Sequence, residues 1–231
     1  MMPASAPRPL RLAPGLIVLA VLAGCAGTPP PADWKMNAVS QLDQAQLRWL
    51  EGNSRAADLA MHRSRGEIAQ SGRPDLLARA ELAACAARVA SLEFGPCPGF
   101  ERLAGDARAE DAAYARFLGG DWAGLDARQL PSHYAGLLAA RDAAAANRAL
   151  AEIQAPLPRL IGAALLFRQA RAEPATLVLA LDTASERGWR RPLLAWLSVG
   201  LKRARDAGDA GAAGQIQRRI DLVLGGAGNP P

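Results

Sequence analysis

The sequence predicts an all-α protein built from antiparallel helical hairpins, and three observations support this fold class. Half of its 231 residues are hydrophobic but only 5% are aromatic, so alanine and leucine must supply most of the buried surface. Alanine has the highest helix propensity and allows helices to pack closely. β-Branched residues do not alternate with polar ones over a useful length, as strands would require. Glycine and proline divide the chain into segments of helical length.

The N-terminal segment is organised as an export signal. Arg8 and Arg11 give it a basic start, and a short apolar run follows at 16–22. This order is typical of signal peptides. The run ends in Leu22-Ala23-Gly24-Cys25, which resembles the lipobox of bacterial lipoproteins. The resemblance implies that residues 1–24 are removed, that the thiol of Cys25 receives a diacylglycerol, and that its new amino group is usually acylated.

Two alternatives remain open for this segment. One is an uncleaved transmembrane helix, and the other is an ordinary secretory signal with an incidental cysteine. A spanning helix needs about 18 or more uninterrupted apolar residues. Pro14-Gly15 and Gly24 leave fewer than that, so the sequence favours the lipoprotein interpretation.

A proline-rich tether is predicted over residues 25–33, between the lipidated cysteine and the folded domain. Proline-rich chain rises about 3.1 Å per residue, so the domain is expected to start about 20 to 25 Å from the lipid. Ala26 occupies the position where lipoproteins retained in the inner membrane often carry aspartate. The resemblance therefore implies the outer membrane, with the domain facing the periplasm.

Three long helices are predicted at the start of the domain. Gly52-Asn53 separates the first two, and Ser71-Gly72 ends the second before Pro74 opens the third. The third helix carries apolar side chains on two stripes, so we expect it to pack on both sides. The predicted bounds are 34–51, 55–70 and 75–92.

Cys85 and Cys97 are the two cysteines that remain after Cys25 is acylated. In an oxidising compartment an isolated pair predicts a disulfide, which would stabilise the fold by roughly 3 kcal/mol on the chain-entropy model. Neither residue belongs to a CxxC motif or has a histidine beside it, which argues against redox catalysis and metal binding. The alternative is a buried free thiol at Cys85.

The middle of the domain is predicted to contain shorter elements. Helices are expected over 100–104 and 109–118, with one or two further helical turns over 122–127. Glu110-Asp111 lies in the first turn of the second of these helices, where negative charge is favourable.

The C-terminal half is predicted to form three helical hairpins, with Pro158 and Pro192 each opening a first helix. The hairpin turns recur at intervals close to 34 residues, and a small residue follows each turn in register, at Ala146, Ala180 and Ala213. The predicted turns lie at Arg141-Asp142, Glu173-Pro174 and Gly208-Asp209, and the predicted helices at 131–140, 143–153, 158–171, 175–186, 192–205 and 211–224.

This spacing is similar to that of the tetratricopeptide-repeat family. The family's turn and following alanine are matched by Gly208-Asp209 with Ala213 and by Gly52-Asn53 with Ala57. Gly120-Asp121 is also similar, although Leu125 replaces the small residue. The resemblance implies a right-handed stack of hairpins over 34–225, with a disordered tail at 226–231. An irregular helical bundle is the alternative, because the family's aromatic and glycine positions are mostly missing.

The charge of the chain does not indicate nucleic-acid binding. Removing Arg8 and Arg11 with the signal lowers the formal net charge from +5 to +3. Basic residues concentrate near the C-terminus, where they could contact lipid phosphates or another anionic envelope polymer. A solvated helix face is the alternative. The candidate contact residues are Arg190, Arg191, Lys202, Arg203 and Arg205.

Catalytic and metal-binding motifs are not found in the sequence. His62 and His133 are far apart and lack metal-ligand neighbours, so we predict no metal, no cofactor and no catalytic residue. The leading hypothesis is a non-enzymatic scaffold or adaptor that holds an envelope protein partner at the membrane through acyl chains on Cys25. A cell-wall-associated enzyme or accessory factor is the second hypothesis, and a structural spacer the third.

Overall fold

A computed structural model of the chain describes Met1 and residues 32–225. The predicted signal peptide, Cys25, nearly all of the tether and the C-terminal tail lie outside the described residues. The described part is all-α, as predicted. Its α-helices are α1 (Asp33–Leu50), α2 (Ser54–Ala69), α3 (Pro74–Ala90), α4 (Pro98–Glu101), α5 (Ala109–Leu118), α6 (Ala135–Ala139), α7 (Ala143–Ala151), α8 (Pro156–Arg168), α9 (Pro174–Glu186), α10 (Arg190–Asp206) and α11 (Ala210–Gly225).

The first hairpin, α1 and α2, turns where the sequence predicts it. Gly52 has φ +88°, a left-handed conformation that glycine adopts without strain. Asn53 caps α2 by accepting a hydrogen bond from the Ala56 N–H at 3.1 Å. Small residues line the contact between these helices, and the Ser64 hydroxyl donates to the Ala38 carbonyl at 2.9 Å inside it. The hairpin therefore packs closely and buries a polar group only with a partner.

Helix α3 is the centre of the molecule. It contacts α1, α2, α4, α5 and α8. Its side chains belong to two hydrophobic clusters, one with α1 and α2 and a larger one that includes α5 and α8, so the prediction of packing on both sides is confirmed. More than half of its residues are buried, and most of those are alanine. Because alanine has a short side chain, neighbouring helices can approach α3 closely along its whole length.

The prediction of helix over 122–127 is wrong. This segment is a turn and loop, followed by one-turn 3₁₀ helices at Ala127–Gln129 and Ser132–Tyr134. The indole of Trp122 donates to the Phe117 carbonyl at 3.0 Å and stacks on the Phe117 ring at 5.0 Å. This contact holds the chain against the end of α5, and Gly120 and Gly124 take positive φ values that interrupt any helix.

The C-terminal helices form successive neighbouring pairs, α6 with α7, α8 with α9 and α10 with α11. All three predicted turns lie between these helices. Two predicted starts are late, because Pro156 and Arg190, rather than Pro158 and Pro192, open α8 and α10. A proline is tolerated anywhere in a first turn, where its missing N–H has no helical partner to lose.

Two of the three small residues predicted at the hairpin contacts, Ala146 and Ala180, are fully buried, while Ala213 is half-buried. Gly162 in α8 permits a further close approach. A Cβ there would lie 2.9 Å from Leu150 Cδ1 and 3.0 Å from Leu137 Cδ1. Small side chains thus set the spacing between helices α6, α7 and α8.

Asn147 joins α7 to the turn between α8 and α9. Its amide nitrogen donates to the carbonyls of Ala143 at 2.7 Å and Arg171 at 2.9 Å, and its oxygen accepts from Glu173 N–H and the Thr176 hydroxyl. All four hydrogen-bonding positions of the amide are used. One polar side chain therefore fixes one hairpin against the next.

Candidate binding cleft beside the disulfide

A cleft of about 190 Å³ lies between α1, α2, α3 and the loop that precedes α4. Apolar groups and charged groups both line it. The apolar part comes from Trp49, Met61 and the two cysteines, and the charged part from Asp58, Arg65, Glu81, Arg88 and Arg102.

The disulfide forms one side of this cleft. Cys85 of α3 and Cys97 of the loop are bonded, with Cα atoms 6.0 Å apart. The Cys97 N–H also donates to the Glu101 carboxylate at 3.1 Å, and Pro98 opens α4 directly afterwards. The loop is thus attached to α3 by a covalent bond and to α4 by a hydrogen bond.

Glu81 is a buried carboxylate at the edge of the cleft. Arg65 donates to both of its oxygens, at 2.5 Å from Nε and 3.0 Å from Nη2. This hydrogen bonding raises the pKa of the Arg65 guanidinium above its ordinary value, although burial opposes it. Gly99 of α4 packs so closely on Glu81 that a Cβ there would collide with its carboxylate. The ion pair and the start of α4 therefore hold each other in place.

Trp49 is approached by two guanidinium groups, that of Arg88 at 4.8 Å and that of Arg191 at 3.9 Å from the ring centroid. Arg191 also donates to the Trp49 carbonyl at 2.8 Å and to the Ser54 hydroxyl at 2.6 Å. Its Nη1 lies 3.7 Å from the Glu93 carboxylate. Through these contacts, the start of α10 holds the end of α1 near the cleft.

The five basic residues predicted to contact an anionic surface do not form one patch. Arg190 and Arg191 lie at the start of α10, whereas Lys202, Arg203 and Arg205 lie near its end. At 1.5 Å per residue, Arg191 and Lys202 are about 16 Å apart along the helix. Arg191 is taken up by internal contacts, and Lys202 pairs with Asp206 at 2.8 Å.

The histidines and the paired carboxylates are placed apart from the cleft. His62 and His133 are both exposed, and partial burial lowers the pKa of His133. Glu110 and Asp111 are in the first turn of α5, and both accept hydrogen bonds from Arg79, at 3.1 and 2.9 Å. Among residues 32–225, no group of three or more metal-ligating side chains is found, and no helix is long and apolar enough to cross a membrane.

Sequence reasoning identified the cysteines of this cleft but not its charged residues. A signal was present, because Glu81 is the only charged residue between Arg79 and Arg88 in α3. A carboxylate at such a position is buried only when it is paired. Its partner, Arg65, is on the preceding helix, and only the packing of the hairpin on α3 reveals the pair. No family model, curated protein or solved structure matches this chain.

Proposed function

We propose that this protein is a lipid-anchored adaptor of the bacterial cell envelope, whose helical domain binds an envelope protein at the membrane. The observation that carries the proposal is Leu22-Ala23-Gly24-Cys25, preceded by a basic start and a short apolar run. Acyl chains on Cys25, inserted in the outer membrane, would hold the domain beside the bilayer on its periplasmic face. The hairpins would present the binding surface, in a stack similar to that of tetratricopeptide repeats.

Chain length supports a role close to the membrane. α1 begins at Asp33, only eight residues after Cys25. Even fully extended, eight residues span at most about 29 Å. A segment of this length limits how far the start of the domain can lie from the lipid.

The anchor is tested by metabolic labelling with a palmitate analogue and by membrane fractionation of the wild type and Cys25→Ala. We expect the wild type to be labelled and membrane-bound, and the variant to be neither. Cys97→Ala is the matched control, because it removes a cysteine of the domain without touching the lipobox. A Cys25→Ala protein that is still processed and membrane-bound would contradict the proposal.

Partner binding is tested by crosslinking the acylated protein in cells, followed by affinity purification from solubilised membranes. We expect one envelope protein to be enriched with the wild type over an unrelated lipoprotein. Recovery of the uncrosslinked monomer alone would count against the adaptor role, whatever the result for the anchor.

A second candidate is an accessory factor that binds an anionic cell-wall polymer. It is favoured by Arg203, Arg218 and Arg219 of α10 and α11, which are exposed and donate no side-chain hydrogen bond to another described residue. Cosedimentation with purified anionic wall polymer separates the candidates. Binding that is lost when the three arginines are changed to glutamate would favour the second.

A further inference from the structure

We propose that the cleft beside the disulfide binds the carboxylate side chain of an acidic segment of the partner protein. The inference rests on the adaptor function and specifies which chemistry of the partner is recognised. Four features of the cleft support it: two guanidinium groups with no acceptor among the described residues, a partly apolar lining, a small volume and a fixed loop.

The guanidinium groups of Arg88 and Arg102 are available to an anion. Both residues line the cleft and are exposed, and neither donates a hydrogen bond or forms an ion pair with another residue of the described chain. Arg65 is not available in this way, because Glu81 already accepts from two of its nitrogens. Asp58 contributes one negative charge, so the arginines leave the cleft with an excess of one positive charge.

Arginine is well suited to this task because its planar group binds both oxygens of a carboxylate at once. Two arginines at one cleft can share a single carboxylate, and the contact of Arg88 with the Trp49 ring restricts its motion before the ligand arrives. A restricted donor loses less conformational entropy on binding than a mobile one does.

The apolar part of the lining fits the methylene groups of a glutamate. Trp49, Met61 and the disulfide contribute to it. A carboxylate carried on a short aliphatic stem would therefore place its charge against the arginines and its carbon atoms against the apolar residues.

The volume of the cleft favours one side chain over a whole small molecule. It measures about 190 Å³, whereas pockets for drug-sized ligands and cofactors measure about 300–1,000 Å³. A single acidic side chain that projects from a partner needs no more room than this, because the rest of the partner stays outside.

The cleft is also built to keep its shape. The disulfide fixes the loop to α3, and the buried carboxylate of Glu81, paired with Arg65, packs against Gly99 at the start of α4. Such preorganisation is expected of a recognition site.

The test uses the mature protein and a fluorescently labelled hexapeptide that contains one leucine and two glutamates among alanines. Its glutamine counterpart and free glutarate are the comparison ligands. We expect anisotropy to show binding of the glutamate peptide, with at least tenfold weaker binding of the glutamine peptide. Removing one charge-assisted contact should lower the affinity about tenfold, so Arg102→Ala is expected to bind the glutamate peptide about ten times more weakly than the wild type does.

Arg148→Ala is the matched control, since Arg148 is an exposed arginine of α7 that does not line the cleft. It should bind the peptide as the wild type does. The peptide affinity of Arg102→Lys should lie between those of the wild type and Arg102→Ala, because lysine keeps the charge but not the planar group. Thermal unfolding verifies that the variants fold.

Equal binding of the glutamate and glutamine peptides, or wild-type affinity of Arg102→Ala, would overturn the proposal. Glutarate that binds as tightly as the peptide would assign the cleft to free small carboxylates and would also overturn it. If the wild type does not bind the glutamate peptide but a partner is still recovered by crosslinking, the cleft proposal fails and the adaptor function stands. If the wild type binds the peptide but no partner is recovered in cells, the adaptor function fails and the carboxylate site stands.

Discussion

Replacing Arg191 with alanine is expected to lower the free energy of unfolding by about 2–3 kcal/mol, by separating the start of α10 from the end of α1. The largest contribution is the hydrogen bond from its charged Nε to the Trp49 carbonyl at 2.8 Å. Bonds to charged groups contribute about 1.5–3 kcal/mol. The lower end applies here, because 23% of the Arg191 side chain remains exposed.

The contact with the Trp49 ring adds to this figure. The guanidinium lies 3.9 Å from the ring centroid, and such cation–π contacts contribute about 0.5–1 kcal/mol at exposed sites. The Glu93 pair adds little, because its atoms are 3.7 Å apart and Glu93 is 45% exposed. The Trp49 carbonyl is not orphaned in the variant, because the Gly52 N–H still donates to it at 3.0 Å. No further penalty for an unpaired group is therefore expected.

Urea and thermal unfolding of the disulfide-bonded protein, followed by circular dichroism, measure the effect. For a domain of this size, 2–3 kcal/mol corresponds to a fall in Tm of about 4–12 °C. Arg203→Ala is the control on the same helix, where an exposed arginine should cost less than about 0.5 kcal/mol. The stability of Arg191→Lys should be intermediate, because lysine keeps the charge but not the planar group with its several N–H donors.

A change no larger than that of Arg203→Ala would refute the reasoning. It would mean that α10 and the end of α1 are not held together in solution, and that Arg191 remains available to an external anion, as the sequence alone allowed.

Three further predictions concern the cleft, its disulfide and the nearby ion pairs. Gly99→Ala should destabilise the protein by about 1–3 kcal/mol, because the added Cβ collides with the buried carboxylate of the cleft; Gly95→Ala, with no atom within 4 Å of the added group, should be neutral or slightly stabilising in the same urea titration. Cys97→Ser should lower the stability of the oxidised protein by about 3 kcal/mol. Alkylation before and after reduction should find two cysteines that react only after reduction in the wild type and none in the variant, which would verify the bond. Hydrogen bonds from Arg73, and to a smaller extent from Arg108, hold the pKa of Asp75 well below its usual range. These bonds therefore stabilise the folded protein above about pH 4, and the stabilisation is lost as the pH falls below it. The difference in Tm between the wild type and Asp75→Asn should accordingly shrink on acidification.

The sequence predicted most helices to within two residues where glycine, proline or a capping residue marks a boundary. α5 begins and ends at the predicted residues, since charged residues open it and Gly119-Gly120 closes it. The prediction over 122–127 was wrong because a helical pattern competes there with a side-chain contact and a glycine turn. The indole of Trp122 bonds to the Phe117 carbonyl at the end of α5, and Gly124 takes a positive φ that interrupts a helix.

The candidate cleft could be predicted only in part, for a similar reason. The cysteine spacing was sufficient to predict the disulfide, because it brings two residues of one short segment together. Glu81 and Arg65 are on different helices, and their pairing depends on how α2 packs on α3. Arg88 lies two turns after Glu81 on α3, and Arg102 joins them where the segment after Cys97 returns along α3. Charges that meet through packing carry no signature in their spacing along the chain.

The arginine content of the chain has a structural explanation that its composition does not suggest. Lys35 and Lys202 are the only lysines, and several arginines donate to carbonyls at the ends of helices. The bonds go from Arg159 to Ile153 after α7, from Arg168 to Leu118 of α5, from Arg171 to Ala140 after α6 and from Arg191 to Trp49 of α1.

The last carbonyls of a helix have no helical partner and carry the negative end of its dipole. A guanidinium satisfies both needs and can reach two acceptors from different nitrogens, as Arg191 does with the Trp49 carbonyl through Nε and the Ser54 hydroxyl through Nη2. An ammonium group lacks this geometry. Part of the positive charge is therefore committed to holding turns together, so net charge overstates what a partner can contact. Arg88 and Arg102 line the cleft and have no acceptor among the described residues, so they are a better guide to the ligand than the net charge.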